Sequence, residues 1–509
     1  MLSQDDLLYF IHIPKTAGTT LISLLDAKFD VNEIFPAQLW KELAKIPPDQ
    51  IGKYRFYRGH FGANGLKSLL PKEPVCLTML RQPIPLALST YKFVLREPGT
   101  RVHSLAKSSQ MSFADFVSHP KTCTRISNKQ TRNLSFDIHS APPNDPVFHY
   151  NESRDRVDQW LEKYRITYSD SESLERAKQK LDDCAFFGLV ERFNESMALM
   201  SYTFGWSPVG TTSKLREATS KAEIDALPTD VRDMLEDYNE LDTLLYSYAD
   251  AAFQERLSAM IQHLHDFAKP GEPRPETWDE DPETMQTLLD RHYTDCQKQR
   301  QIPPSEVIRV DFAHALSGSG WHHREKVAVD QTYFRWTGPS TTSTLDVPLS
   351  QQADVRVTFR IINAVESGII DSLSLSVNDT HVALALLDGK GTVVRTYQAV
   401  VPKELLESDR PFTRFTFQVA QTRSPRDQEA WQSDMRQLGV ALHWMDIHPV
   451  EMTDDHPIPP LTQYKNVATV RDLKRLRHRL RRRDRLKYLI KTTPGLRSLY
   501  SVYKRMTAR

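Results

Sequence analysis

One short segment near the N-terminus combines residues that could bind an anion: Tyr9–Thr20, which reads YFIHIPKTAGTT. An apolar run ends at Ile13, a tight turn follows, and the pattern predicts a helix that begins near Gly18. Lys15 and several backbone N–H groups would then lie at a helix N-terminus, where the helix dipole and the unpaired donors favour an anion. The glycine would let the backbone approach a ligand closely. The predicted anion loop consists of Lys15, Thr16, Ala17, Gly18, Thr19 and Thr20.

The elements that would position this loop follow from the apolar runs of the first half. Strand-like runs at Leu7–Ile13, Val75–Leu80 and Ala185–Val190 alternate with helical patterns such as Glu236–Leu257. This alternation favours an α/β fold with a parallel sheet and flanking helices. Arg81 would follow the second run, at the strand ends where open α/β sheets bind ligands. The loop is not a Walker A motif, because the G-x-x-x-x-G-K-[ST] spacing is absent, and an ordinary strand–helix turn is the alternative.

The segment His12–Thr20 resembles the 5′-phosphosulfate loop of the carbohydrate sulfotransferases, especially the heparan sulfate 2-O- and 6-O-sulfotransferase group. Other segments resemble later family blocks in the same order, and the likeness covers about the first 255 residues: Thr78–Tyr91, Asn128–Leu134, Phe186–Phe193 and Asn239–Tyr246. In the first of these blocks, Arg81 and Ser89 have the family's separation of eight residues. One position departs from the pattern, because Pro85 stands where many relatives carry a second arginine.

The resemblance implies a P-loop-like sheet and transfer of a sulfuryl group from 3′-phosphoadenosine-5′-phosphosulfate to a carbohydrate hydroxyl, with no metal. Residues 15–20 would bind the phosphosulfate, and Lys15 would neutralise charge on the leaving phosphate oxygen. Arg81 and Ser89 would bind the 3′-phosphate, to which a guanidinium and a hydroxyl are suited. His60 would be the base for the acceptor hydroxyl, because an imidazole titrates near working pH, although a structural histidine is the alternative.

Three residues of the later blocks could contact the acceptor or the cofactor. Asn128, Gln130 and Arg132 offer amide and guanidinium groups that suit sugar hydroxyls or carboxylates, and a structural role is equally open. His12 is expected to be a packed residue or a minor contact. The adjacent pair His322-His323 lacks the spacing of metal ligands on a helix, and the sequence contains no ligand cluster for a metal.

From about residue 306 to residue 450 the apolar period changes to two, as in Val355, Val357 and Phe359. Asp388-Gly389 lies between two such runs and is typical of a hairpin turn. The pattern predicts an antiparallel β-sandwich. Its aromatic residues could stack on sugar rings, or they could fill the core, which is the more frequent role. They are Trp321, Tyr333, Phe334, Trp336 and Trp444.

The charge is uneven along the chain. Residues 471–509 contain 15 Lys/Arg and two Asp, a net charge of +13, which leaves −12 for the rest of a chain whose total is +1. Leucines at helical spacing lie among the arginines, so this tail could bind an anionic membrane surface or a partner helix. No specific nucleic acid partner is expected.

Composition also bears on the compartment. No run of 18 apolar residues appears, and the N-terminus has no basic region that would indicate a signal peptide. The four cysteines are far apart, which favours reduced thiols. We expect no membrane anchor of the kind typical of Golgi relatives. We therefore expect a cytoplasmic, bacterial-type enzyme that could lie peripherally at the inner face of the membrane.

Together these patterns divide the chain into a sulfotransferase domain (1–267), a linker with a short polar helix (268–305), a β-sandwich (306–450) and a linker with a basic C-terminal helix (451–509). Two rival functions remain. One is a nucleotide-dependent phosphotransferase with the same type of loop. The other is a glycan-binding protein whose transferase half has lost activity.

Overall fold

A computed structural model describes residues 2–3, 5–139, 154–210, 221–327, 331–428 and 434–451 of the 509-residue chain. Its first half is built on a parallel sheet in the order β2-β1-β3-β4, which confirms the mixed α/β prediction. The strands are β1 (Leu8–Ile11), β2 (Phe56–Gly59), β3 (Val75–Leu80) and β4 (Phe186–Leu189). Three of them coincide with the predicted apolar runs. The sequence reasoning missed β2, a four-residue strand that contains the charged Arg58.

Helices cover this sheet, and the first of them begins at Gly18, as predicted. Those described in this half are α1 (Gly18–Asp26), α2 (Trp40–Leu43), α3 (Pro48–Ile51), α4 (Pro83–Arg96), α5 (His103–Ser108), α6 (Phe113–Ser118), α7 (Pro120–Cys123), α8 (Lys129–Leu134), α9 (Arg154–Tyr164), α10 (Asp170–Asp183), α11 (Phe193–Phe204), α12 (Lys221–Asp225), α13 (Thr229–Tyr238), α14 (Glu240–Leu264) and α15 (Pro282–Arg300). Short 3-10 turns occur at Val31–Glu33, Lys67–Leu69 and His265–Phe267.

Two helical predictions need correction. The helix predicted at Glu236–Leu257 is interrupted at Asn239, where α13 ends and α14 begins. The helix predicted at about 281–300 is present as the 19-residue α15 (Pro282–Arg300), but its assignment to a polar linker is wrong. Its Met285, Leu288 and Leu289 are buried in the core of the first half. Thus α15 is part of that core and not a solvated spacer.

The C-terminal half consists of antiparallel sheets, as the period of two predicted. Its strands are β5 (Ile308–Val310), β6 (Glu325–Lys326), β7 (Tyr333–Trp336), β8 (Thr342–Val347), β9 (Val355–Ala364), β10 (Ser374–Val377), β11 (Thr380–Val382), β12 (Ala385–Asp388), β13 (Arg395–Val401), β14 (Thr413–Gln418) and β15 (Val440–Pro449). Its short helices are α16 (Ser367–Asp371), α17 (Lys403–Leu406) and α18 (Pro425–Gln428).

These strands form two sheets that share one core. One has the order β11-β10-β14-β8, and the other has the order β12-β13-β9-β15-β7-β6 with β5 paired to β15. Val357 and Phe359 of one sheet pack in the same buried cluster as Phe415 and Phe417 of the other. The arrangement is therefore sandwich-like.

The three candidate tryptophans of this half are buried, which favours the core-filling alternative over sugar stacking for them. Trp321, Trp336 and Trp444 are each at most 7% exposed. The indole of Trp444 lies 5.4 Å from the guanidinium of the buried Arg360. Tyr333 and Phe334 are half-buried.

A loop of the C-terminal half runs along the end of α1. The Arg324 guanidinium donates to the carbonyl oxygens of Asp26 and Phe29, the latter at 2.6 Å. The backbone N–H of Leu316 donates to the carbonyl of Ala27 at 2.7 Å. The two halves are therefore joined by hydrogen bonds at the helix that begins in the predicted anion loop.

Among the described residues, no helix is both long and apolar enough to cross a membrane. The predicted basic C-terminal helix lies outside the described residues, so its binding to an anionic surface stays a prediction.

Candidate functional site

The predicted site residues meet at one edge of the parallel sheet. Strand β1 lies between β2 and β3, and Ile11 is in register with Gly59 on one side and Thr78 on the other. The residues that follow these three strands therefore emerge together, which is the usual place for a ligand in an open α/β sheet. Lys15, His60 and Arg81 all follow strand ends of this kind.

The loop between β1 and α1 has an uncommon backbone. Lys15 and Ala17 have φ values of 80° and 59°, in the left-handed region that non-glycine residues rarely occupy. Such residues cost roughly 1–3 kcal/mol each and cluster at ligand-binding sites. The hydroxyl of Thr16 is buried and donates to the carbonyl of Ile13 at 2.9 Å, which helps to hold the turn.

The N-terminus of α1 faces this loop without a side-chain cap. Its N-cap residue is Ala17, whose methyl group cannot accept a hydrogen bond. Thr20 is buried and Thr19 is exposed. The end of the helix thus retains the partial positive charge that favours an anion.

Gly18 leaves room for a histidine ring. A Cβ added at this position would lie 1.8 Å from Nε2 of His12, so any side chain here would collide with the imidazole. His12 also stacks on Phe10 at 5.1 Å and contacts the ring of His60 at 4.4 Å. This agrees with the prediction that His12 is a packed residue. It also means that glycine is required at position 18 to make room for the His12 ring, besides allowing a ligand to approach.

His60 is held in an orientation that suits a base. Its backbone N–H donates to Gln38 O at 2.8 Å, and its Nδ1 lies 2.7 Å from the carbonyl oxygen of His12. A carbonyl can only accept, so Nδ1 carries the hydrogen, and the lone pair of the neutral ring is on Nε2. Burial lowers the pKa of His60, which favours the neutral form near pH 7.

Arg81 is connected to the anion loop and to α8. Its guanidinium donates to the carbonyl of Lys15 at 3.3 Å. Its backbone N–H and carbonyl are both bound by the side-chain amide of Gln130, each at 2.8 Å. Although burial lowers the pKa of Arg81, an arginine remains charged in a protein.

One face of α4 lies against the loop. The Lys15 ammonium sits 4.6 Å from the centre of the Phe93 ring. Ser89 precedes Phe93 by one helical turn, so the two lie on the same face of α4, and Ser89 is half-buried. Pro85 is buried within α4. The structure therefore brings Lys15, Arg81 and Ser89 together.

The two candidate amides of the Asn128–Leu134 block, Asn128 and Gln130, bind the protein itself. The Asn128 side chain accepts from the N–H of Asp242 at 3.1 Å, and Gln130 binds Arg81 as described. Asp242 in turn accepts from the backbone N–H groups of Gln130 and Thr131 at 2.9 and 2.7 Å. These contacts fix α8 to α14 and assign Asn128 and Gln130 to positioning, because their side chains are used within the protein.

Arg132 remains the member of that block whose guanidinium could reach a ligand. It is half-buried and donates to the carbonyl of Thr124 at 2.7 Å. Burial lowers its pKa, while Asp242 opposes that change. Its contact with an acceptor stays a prediction.

Sequence reasoning missed Lys129, which lies within the quoted block. Its ammonium donates to the hydroxyl of Thr90 on α4 at 3.2 Å. Burial, followed by the nearby Lys15, lowers the pKa of Lys129 to about 7. Only the charge of the lysine could have indicated a role, because its neighbours come from distant parts of the sequence.

Across the described ranges, no group of three or more His, Cys, Asp or Glu side chains is placed to hold a metal ion. No protein-family model matches the chain, and no curated protein matches it.

One solved structure to which the chain shows similarity is a family GH115 4-O-methyl-alpha-glucuronidase with specificity for decorated arabinogalactans. The two are 11% identical, and the match covers 72% of this chain and 42% of the glucuronidase, with a TM-score of 0.18. The chain thus spans about two fifths of that structure's length. A likeness at this score carries no argument about fold or function.

Proposed function

We propose that this protein is a sulfotransferase that moves a sulfuryl group from 3′-phosphoadenosine-5′-phosphosulfate to a hydroxyl of a carbohydrate. The proposal joins the sequence resemblance to the geometry at the ends of β1, β2 and β3. It includes the P-loop-like character of the first half, which is supported by a parallel strand, an anion loop and a helix in succession.

One contact supports this function best: the hydrogen bond from Nδ1 of His60 to the carbonyl of His12. It directs Nε2 away from the strand that ends in the anion loop, and it ties the candidate base to the residue three positions before Lys15. This arrangement supports a base and a phosphosulfate site at the ends of adjacent strands. Such fixed positioning supplies a large part of the catalysis of group transfer.

The reaction requires a displacement at sulfur. The acceptor oxygen forms a new S–O bond, and the bond between sulfur and the 5′-phosphate oxygen breaks. The proton of the acceptor hydroxyl passes to Nε2 of His60. Lys15 and the N-terminus of α1 stabilise the charge that develops on the leaving 5′-phosphate, since preorganised donors act most strongly where charge develops.

We place the activity in the cytoplasm. The four cysteines of the chain, Cys76, Cys123, Cys184 and Cys296, are all free thiols, which supports a reducing compartment.

Replacement of the base tests the proposal. We expect His60→Asn to lower the transfer of labelled sulfuryl from the cofactor to a panel of polysaccharides by at least about 10²-fold, the usual scale for general-base catalysis. The asparagine amide can still donate to the carbonyl of His12, so binding of 3′-phosphoadenosine-5′-phosphate should change little.

His103→Asn is the matched control, because Nδ1 of His103 makes the same type of contact, 2.8 Å from the carbonyl of Val94. It should transfer label at the parental rate. Equal transfer by the parent and His60→Asn would contradict the assignment of the base. If the parent transfers the γ-phosphoryl group of ATP and not the sulfuryl group, the protein is the phosphotransferase of the rival hypothesis.

A further inference from the structure

Lys129 lies near Lys15 and against α4, and it has no role in the reaction described above. It is the first residue of α8, a helix fixed to α14 by Asp242. Its side chain crosses to α4, where it donates to Thr90, the residue after Ser89. The amine therefore lies beside the same face of α4 that the Lys15 ammonium contacts through Phe93.

The groups around this amine are mostly positive. Its charged and titratable neighbours are His12 and Lys15 in the loop after β1, His60 after β2, Arg125 before α8, Arg132 on α8 and Asp242 on α14. The single carboxylate among them, Asp242, is already occupied by hydrogen bonds from α8. Like charges and burial therefore oppose a second ammonium beside Lys15.

We propose that Lys129 is the proton acceptor of the anion site: its neutral amine takes up one proton from solvent and becomes an ammonium when a phosphate group binds at the Lys15 loop, and so couples nucleotide binding to pH. This inference rests on the proposed function only in requiring an anionic ligand.

The physical reason is the reversal of charge at the site. Without a bound anion, burial and then the Lys15 ammonium disfavour protonation of Lys129, so its pKa of about 7 leaves much of the amine neutral above that pH. A bound phosphate adds negative charge next to the amine and favours the ammonium form. Binding and protonation then support each other, so affinity falls as pH rises above 7.

Calorimetry of the full-length protein measures this uptake. Each protein is titrated with 3′-phosphoadenosine-5′-phosphate at pH 8, in two buffers of different ionisation enthalpy, and the difference in heat gives the protons taken up per ligand bound. At this pH the phosphate groups are already deprotonated, since their second pKa is near 6. We expect an uptake of most of one proton by the parent, and an affinity that falls up to about tenfold between pH 7.5 and pH 8.5.

Lys129→Arg provides the matched comparison, because an arginine keeps a charge at every pH used. We expect it to bind the nucleotide, to take up close to no proton, and to show a nearly flat affinity over the same pH range. Lys129→Met should bind more weakly and also show no uptake. His60→Asn should retain the uptake of the parent, which separates the lysine from His60.

Equal proton uptake by the parent and by Lys129→Arg would overturn the inference, as would a parental affinity that is constant between pH 7.5 and pH 8.5. The second result needs no variant, so a substitution that fails to fold does not weaken the test. In either case the nucleotide still binds, and the proposed function stands. If neither this nucleotide nor inorganic pyrophosphate binds the parent at pH 6.5 or pH 8, the anion site itself is wrong, and both proposals fail.

Discussion

At the scale of residues, the site is made of side chains that main-chain atoms hold in place. The carbonyl of His12 sets the tautomer of His60, and the carbonyl of Lys15 accepts from Arg81. Lys15 and Arg81 could be selected from the sequence because their types suit anions and because each follows a predicted strand. His60 could be selected through the family resemblance and the chemistry of imidazole, since sequence reasoning missed the strand before it. The roles of Gln130 and Lys129 could not be predicted, since their partners Arg81 and Thr90 lie 49 and 39 residues away.

The first residue-scale prediction concerns the leaving group. We expect Lys15→Ala to lower turnover by about 10²–10³-fold, the usual effect of removing one charge-stabilising donor. Steady-state transfer of labelled sulfuryl is the measurement. Lys92→Ala is the control, because Lys92 lies on the exposed side of α4, where it pairs with Glu223. Turnover of Lys15→Ala within a few-fold of the parent would exclude this role.

At the scale of elements, the ends of helices decide where the site residues lie. The apolar period predicted one helix at Glu236–Leu257, but in the structure Asn239 separates α13 from α14. The side chain of Asn239 donates to the carbonyl of Leu235 and accepts from the backbone N–H of Asn128. The second of these hydrogen bonds joins residues that are 111 positions apart in the sequence. It accompanies a break in a helix that the local pattern would continue, and the apolar period of one segment cannot indicate so distant a partner.

The element-scale prediction concerns the start of α1. A methyl group at position 18 must displace the His12 ring, because it would lie 1.8 Å from Nε2. We expect Gly18→Ala to weaken the binding of 3′-phosphoadenosine-5′-phosphate at least about tenfold, since small displacements at a preorganised site are costly. Gly368→Ala is the control, because nothing lies within 4 Å of an added Cβ there. If Gly18→Ala binds the nucleotide as tightly as the parent, the loop tolerates displacement of the His12 ring and the prediction is wrong.

At the scale of the whole molecule, the two halves share an interface at the end of α1. Composition and period were enough to predict two architectures, a parallel α/β half and an antiparallel half. They could not predict that α15 joins the first core, or that a loop near residue 320 binds the backbone after Asp26. The hydrogen bonds to Asp26 and Phe29 come from Arg324, a charged residue that sequence reasoning would assign to the solvated surface.

The whole-molecule prediction follows from that arginine. Arg324→Met removes donors to the carbonyls of Asp26, Phe29 and Ala313, and we expect it to lower the free energy of unfolding by about 3 kcal/mol. Urea denaturation measures the change. Arg423→Met, which breaks an exposed pair with Glu366, should cost less than about 1 kcal/mol. Equal losses in the two variants would show that Arg324 contributes no more than a surface charge.

The central claim is that the site recognises the 3′-phosphate of the nucleotide. Binding measurements test it most directly, because they need no knowledge of the acceptor. Calorimetry compares 3′-phosphoadenosine-5′-phosphate with adenosine-5′-phosphate on the parent and on Arg81→Ala. Charge-assisted hydrogen bonds are roughly twice as strong as neutral ones. We therefore predict that the parent prefers the 3′-phosphorylated nucleotide by at least about tenfold, and that Arg81→Ala loses most of this preference. Equal affinity of the parent for the two nucleotides would contradict the account.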